Sequence, residues 1–434
     1  MFTKPSLSLV RFGAAAWVFG AAMPLPASAA PIADATAKTL CEAAYGNGAS
    51  GEVLSACQWD MRRINAGPAV HQTANGQGVK IGILDSGVDR YHPDVAPNLD
   101  IASSCSFIYS HTPTADPAEV ANGDCSNKSA VQDLQGHGTH VATTAAAPQN
   151  GIGITGVAPQ ATIVALKVCT ISGYCFADSV AAALRYAGDL RLDVVNLSLF
   201  ADPYLYYCKS AEEQRAILAE LQAAAQYAQS RGVVIVAAAG NEAQDLSHPT
   251  TDEISPDWPP GSETTRYVKN NCRVAPAELP GVITVSALGV VTLASYSTVG
   301  RVIDVAAPGG DAGQTTAATF GRGRVLAGWT STDLTGGWQF YAANNRGIES
   351  GGGRYVWISG TSMASPHVAG AAALFKQRHP EWGPGAIAAA IRHAATPMSC
   401  PADWPDTDPR RCYGGIGNTS FFGSGLLNVE GALK

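Results

Sequence analysis

Four residues scattered through a chain of 434 carry side chains that together could cleave an amide. They are Asp85 in "DSGVDRYHPDV", His137 in "GHGTHVA", Asn241 in "AAAGNE" and Ser362 in "GTSMASPHVAG". A hydroxyl nucleophile, an imidazole base, a carboxylate to orient that base and an amide to hold an oxyanion make the full set for acyl transfer through serine. Each has an ordinary reading when taken alone. Ser362 is placed like a helix N-cap, while Asp85 before Ser-Gly and Asn241 after Gly read as turn formers. His137 and His140 lie three apart and could share a metal. No third ligand has the right spacing, however, and the glutamate of a zinc-protease motif is missing. Gly136 and Gly138 on either side of His137 mark a place where something approaches the backbone. A Gly-x-Ser-x-Gly elbow is not formed, because Ala364 stands at its final position.

The elements that must position these groups are legible as punctuation and apolar runs. Proline is tolerated in a first helical turn, where N–H groups have no intrahelical partner. The stretch around Pro366 therefore predicts a helix from Met363 to about Arg378, ending before His379-Pro380. Ser362 would face the unpaired N–H groups and the positive dipole end of that helix. Five apolar runs, "VKIGILDSG", "ATIVALKVC", "LDVVNLSLF", "GVVIVAAAGN" and "GVITVSAL", alternate with loops and with helical stretches at 176–190 and 211–229. Strands this uniformly apolar are covered on both faces, which predicts a doubly wound α/β fold with a mostly parallel sheet and helices on both sides. Ligands in such sheets sit outside the carboxyl ends of the strands, and Asp85 and Asn241 each close a run. Two zones, 208–276 and 309–355, are rich in Gly, Pro, Thr and Trp and read as long surface or substrate-binding loops.

The bulk properties narrow the class. Lys4 and Arg11, a short apolar stretch and Ala27-Ser28-Ala29 read as a cleavable secretory signal over residues 1–30. The chain is expected to be secreted, to the extracellular space or the periplasm, as a monomer. No run reaches the roughly eighteen apolar residues of a membrane span. A net charge of −7, becoming −9 once Lys4 and Arg11 are removed, offers no basic patch for nucleic acid. Ten cysteines in an exported chain imply disulfides. Ten allow roughly nine hundred full pairings; local proximity favours Cys41–Cys57, Cys105–Cys125, Cys169–Cys175, Cys208–Cys272 and Cys400–Cys412. The division expected is a short N-terminal segment over 31–58 and one catalytic domain over 59–434.

With "DSGVD", "HPDV", "GHGTHVA", "GVAP", "AAAGNE" and "GTSMASPHVAG" in this order, the chain from Trp59 to Val429 resembles the subtilisin-like serine proteases, the subtilases. The order Asp, His, Ser is theirs. The resemblance implies a serine endopeptidase acting on protein or peptide substrates, with Ser362 as nucleophile, His137 as general base, Asp85 as its orienter and Asn241 in the oxyanion hole. It also implies substrate-binding residues. Gly173 lies in a stretch resembling the edge strand that pairs with substrate, and Ser198 in one resembling the opposite strand. Phe200 and Ala201 stand there where the family has two glycines. Glu242 and Ala277 resemble pocket-lining residues. A structural calcium ion is implied at Asp94 and Asn150 with the carbonyls of Pro148, Ile152 and Ile154, oxygen donors that suit Ca2+. Secreted members often carry a long propeptide; only a short segment holding Cys41 and Cys57 separates Pro31 from Trp59. The alternative readings are a narrow processing protease, a peptide ligase using the same chemistry, and an inactive subtilase-like binding module. The presence of all four chemical residues speaks against the last.

Overall fold

The computed structural model describes residues 30–316 and 319–431. The secretory-signal reading therefore falls, but for Ala30, outside the described residues. Seven parallel strands form the central sheet: β2 (Lys80–Asp85), β3 (Cys105–Ser106), β4 (Thr162–Lys167), β5 (Val194–Leu197), β7 (Val234–Ala238), β11 (Ile283–Leu288) and β12 (Val305–Pro308). Their order across the sheet is β12-β11-β7-β5-β2-β4-β3. The five apolar runs form β2, β4, β5, β7 and β11, and the doubly wound α/β expectation holds.

Alternation along each strand feeds two cores, because successive side chains leave opposite faces. On one face, Ile81, Ile83, Val194 and Val236 pack with α4 (His137–Ala146), α8 (Thr361–Arg378) and α9 (Pro384–Ala394). On the other, Leu84, Val195, Leu197 and Ile235 pack with α5 (Ala177–Asp189) and α6 (Glu212–Ser230).

Helix α8 begins two residues earlier than expected, so Pro366 lies within it rather than in its first turn. A residue there would ordinarily donate its N–H to the carbonyl four residues back, at Ser362. That carbonyl instead accepts the Ser198 hydroxyl at 2.8 Å. The proline's missing donor is thus made good from the end of β5, and the helix start is pinned to the sheet.

The zone 309–355 departs from expectation. It holds β13 (Val325–Trp329), α7 (Gly337–Ala343), β14 (Gly347–Ser350) and β15 (Gly353–Ile358) rather than loop alone. These strands and β1 (Ile32–Ala33) build a second sheet in the order β1-β14-β15-β13. The glycines and tryptophans that read as loop serve close packing instead. A Cβ at Gly328 would come 2.9 Å from the Thr143 side chain of α4. The segment before Trp59 is similarly built in. β1 pairs in parallel with β14, and α1 (Asp34–Tyr45) is tied by Cys41–Cys57. The Tyr45 hydroxyl donates to Phe320 O at 2.6 Å. All five expected disulfides are formed, and no free cysteine remains among the described residues. In the zone 208–276, β6 (Tyr206–Cys208) pairs antiparallel with β10 (Cys272–Val274), while β8 (Thr251–Asp252) pairs with β9 (Arg266–Tyr267).

Candidate active site

Three neighbouring strands deliver the chemical groups. Asp85 is the last residue of β2, Ser198 follows β5, and Asn241 lies three residues past β7. Leu84 is in register with Leu197, and Leu197 with Ala237, so these three ends open side by side at the carboxyl edge.

Asp85 is 1% exposed, and its Oδ1 lies 2.8 Å from His137 Nδ1. The same oxygen accepts the Ser86 N–H at 2.7 Å. With Nδ1 donating to the carboxylate, His137 presents its Nε2 as the free acceptor. Burial pulls the imidazole pKa down, but the charge and hydrogen bond of Asp85, with Asp133 behind, outweigh it; the net direction is upward.

His137 opens α4, and Asp133 holds the loop that leads to it. This buried carboxylate accepts the N–H groups of Gln135 at 3.0 Å and Gly136 at 2.8 Å. It also takes the Thr139 N–H at 3.0 Å and the hydroxyls of Thr139 at 2.6 Å and Ser86 at 3.0 Å. One side chain therefore fixes both the residue after Asp85 and the turn carrying His137. Sequence reasoning missed it, although an aspartate followed by two residues able to donate their N–H groups is a recognisable turn signal. Lys167, beside Asp85 in the sheet register, adds a second support. Both it and Glu119 are fully buried; they pair at 2.8 Å, and its Nζ donates to Gln132 O at 2.9 Å.

What approaches the glycines around His137 is the protein itself. Gly136 has φ 121°, and a Cβ there would come 2.2 Å from the Trp329 ring. A Cβ at Gly138 would lie 2.0 Å from Gly87 O.

Ser362 stands in the first turn of α8, and its hydroxyl donates to Ser198 O at 3.2 Å. Asn241 Oδ1 accepts both the Thr361 N–H at 2.8 Å and the Thr361 hydroxyl at 2.9 Å. That fixes the amide with its Nδ2 donors turned away from Thr361. The site can thus offer a hydroxyl, a carboxylate-backed imidazole and an amide donor at one sheet edge.

A profile of the subtilase family matches residues 76–425, which takes in all four. The chain belongs to the subtilase family. It is 31% identical over 377 residues to Subtilisin Savinase from Lederbergia lenta, covering 87% of this chain and 98% of that one. M-protease from Shouchella clausii strain KSM-K16 gives the same identity over 87% of this chain and 70% of its own. Among solved structures, a protease from Pseudoalteromonas arctica superposes with TM-score 0.56 at 26% identity, covering 84% of this chain and 92% of that one. The epidermin leader peptide processing protease of Staphylococcus aureus shares the fold, with TM-score 0.63 at 24% identity over 88% of this chain and 81% of that one. This subtilase is a serine endopeptidase that acts on peptide or protein substrates.

The substrate-binding expectations meet the structure unevenly. Ser172–Tyr174 does not form the expected edge strand. It is a turn closed by Cys169–Cys175, in which Gly173 donates its N–H to Thr170 O at 2.9 Å and Thr170 donates to Tyr174 O at 2.9 Å. Ser198 is buried against Ser362, as above. Phe200 is half-buried and packs on a small core that contains Ala277, itself 1% exposed. Glu242 turns its carboxylate beneath Gly240, where a Cβ would lie 2.5 Å from Oε2, and Thr298 Oγ1 is 3.3 Å away. Burial raises its pKa to about 7 against the pull of the Glu242 and Asn241 amides.

At the expected calcium residues, Asp94 Oδ1 accepts from Asn150 Nδ2 at 3.0 Å. Asp94 Oδ2 accepts from the Ile154 N–H at 3.1 Å and the Tyr355 hydroxyl at 2.8 Å. Burial still raises the Asp94 carboxyl to about 6, and Glu52 adds to the rise. Among the described residues no group of three His, Cys, Asp or Glu side chains gathers there. The buried Oε2 of Glu52 has no hydrogen-bond partner, and neither carboxylate forms an ion pair among the described residues. Asp94 and Glu52 are buried carboxylates held by N–H and O–H donors alone, and oxygens of this kind, Glu52 Oε2 being unpaired, are those a hard cation takes.

Proposed function

We propose that this subtilase hydrolyses peptide bonds through an Asp85–His137–Ser362 triad with Asn241 in the oxyanion hole. The observation that carries the reading is the 2.8 Å Asp85–His137 bond at the strand end beside Ser198 and Ser362. In this mechanism the Ser362 hydroxyl, which donates to Ser198 O, gives its hydrogen bond to His137 Nε2 instead. Its oxygen attacks the scissile carbonyl carbon while Nε2 takes the proton. The carbonyl oxygen becomes an oxyanion, held by Asn241 Nδ2 and the Ser362 N–H. Collapse breaks the C–N bond, and His137 gives its proton to the departing amine. Water then repeats the sequence on the acyl-enzyme, and Ser362 regains its proton. Asp85 keeps Nδ1 protonated throughout and stabilises the imidazolium.

Of the expected substrate-binding residues, Gly173 would act through the rim of its disulfide turn and Ser198 and Phe200 beside the nucleophile, with Glu242 and the buried Ala277 as the wall behind them. The catalytic unit spans 59–434, and residues 31–58, crosslinked within themselves by Cys41–Cys57, are held to it by the β1–β14 pairing and the Tyr45–Phe320 hydrogen bond. Five disulfides support export to an oxidising compartment; no helix among the described residues is long and apolar enough to cross a membrane. Calcium would be held by Asp94, Asn150 and the carbonyls of Pro148, Ile152 and Ile154, where it would stiffen the loop and neutralise buried charge. Chelation then lowers the thermal midpoint, and an unchanged midpoint removes the site.

The test of the main reading is mass-spectrometric mapping of a denatured protein incubated with the enzyme, with Ser362→Ala as control. Many cuts that vanish in the variant are expected. Cuts that survive it would end the assignment of Ser362, and a single cut in a single target would point to a narrow processing enzyme.

A further inference from the structure

We infer that this enzyme cleaves after residues with small side chains, and that Phe200 sets the limit. The inference rests on Ser362 as the nucleophile. An acyl group on Ser362 Oγ with its carbonyl oxygen toward Asn241 must direct its side chain between the two backbone segments flanking the serine. One is 198–200, whose first carbonyl lies 3.2 Å from Oγ. The other is 239–241, which bears Asn241.

Behind these segments the molecule is filled. The β6–β10 ribbon, crosslinked by Cys208–Cys272, contributes Leu205, Tyr206 and Val274 to a satellite core with Leu246, Val268 and Ala277. The Phe200 ring packs on this core. Its backbone has little freedom to carry the ring elsewhere: the next residue, Ala201, is fully buried and donates its N–H to Ala275 O at 2.9 Å. We infer that the ring takes up the volume into which a long side chain would reach from Ser362. Ala277, small enough to line an open pocket, is sealed at 1% exposure.

Charge gives no compensation to a basic side chain. The Glu242 carboxylate is turned under Gly240 toward Thr298, and Tyr206 closes the space beside it, its hydroxyl donating to Gln244 Oε1 at 2.6 Å. On this inference, little space is left for the acyl residue's side chain. It admits glycine, alanine or serine, and crowding a close-packed wall disfavours leucine, phenylalanine and lysine.

The test uses peptide anilides that differ only in the acyl residue: Gly, Ala, Leu, Phe and Lys. The wild-type enzyme is expected to prefer alanine over phenylalanine, leucine and lysine by at least about tenfold in kcat/KM, since a methylene or two in a pocket is worth about 10–200-fold. Phe200→Gly should raise the phenylalanine and leucine substrates at least about tenfold and alanine less than about threefold. Phe200→Ala, which keeps ordinary backbone preferences, should move the ratio in the same direction. A wild-type preference for large or basic residues would overturn the inference, as would a ratio unmoved in folded Phe200 variants. Failure of the wild type to cleave any of the anilides or a denatured protein would instead strike the protease reading beneath it. In that case Ser362→Ala would match the wild type, whereas loss of the small-residue preference alone leaves a Ser362-dependent activity.

Discussion

Two sheets meet beside His137, and they are built on different terms. At the carboxyl edge of the seven-stranded sheet the chemical groups are held by specific hydrogen bonds. Asp85 holds His137, Asp133 holds five donors, Thr361 holds Asn241, and Ser198 completes the carbonyl that Pro366 leaves open. The four-stranded sheet of β1, β14, β15 and β13 depends on shape instead. Trp329 fills the space over Gly136, and Tyr341 meets its ring edge-on at 5.1 Å. The first region fixes residue identity, because a substitution breaks a bond with chemistry attached. The second fixes volume and connectivity, which many residues can satisfy. Changes at the strand ends should therefore cost turnover, and changes in the flanking sheet should cost stability.

The contrast can be broken most sharply at Asp85. Asp85→Asn lets the imidazole adopt the tautomer with hydrogen on Nε2, and kcat should fall by about 10⁴-fold with the thermal midpoint nearly kept. An activity within tenfold of wild type would mean that the carboxylate does not orient His137. Next in size is Asn241→Ala, for which a lost oxyanion donor predicts a fall of about 10²–10³-fold in kcat and little change in KM. Steady-state kinetics that show the loss in KM alone would reassign Asn241 to ground-state binding.

Smaller, and informative in sign, is the pH profile. As the proposed general base His137 must be neutral, and its pKa is raised, so the acid limb of kcat/KM should lie above the ordinary imidazole value of about 6.5. By linkage, the raised folded-state pKa adds stability that is complete below the unfolded value and lost as pH climbs through the folded one. A limb below the ordinary value would show that burial outweighs Asp85. The smallest effect on turnover belongs to the flanking region. Replacing Cys41 and Cys57 together by serine opens a crosslink spanning 16 residues and should lower the unfolding free energy by about 3 kcal/mol. Denaturant titration reads the loss, and kcat should stay within about twofold; a large fall in kcat would show that the two regions are mechanically coupled.

The same contrast explains what could be read in the sequence. The strings around Asp85, His137, Asn241 and Ser362 are legible because backbone approach and side-chain chemistry both restrict them. The parallel sheet is legible because burial on two faces leaves only apolar residues in its strands. Asp133 escaped notice because its four local donors make an ordinary turn, and only the fold adds Ser86 and sets that turn behind Asp85. The strands at 325–358 read as loop because their glycines and tryptophans answer to neighbours on α4 and α7. The turn at Gly173 differs from the expected edge strand for a similar reason: two cysteines six residues apart close too small a circle for an extended segment. The five disulfides were recoverable because every pair is local in sequence or joins adjacent strands.

The pairing of β1 with β14 also has a bearing on the order of events during synthesis. Ile32 meets Ile348, a partner made more than three hundred residues later. β1 must wait, unpaired, until about four fifths of the chain has appeared, and such non-local closure is slow. Asp85, His137 and Ser362 are spread over the same span, with the serine made last. A nascent chain lacking its final quarter has neither Ser362 nor a seat for its own beginning. Seating β1 and adding the proposed nucleophile are thus close to one another in time, so on that proposal an unfinished chain cannot yet cut its neighbours.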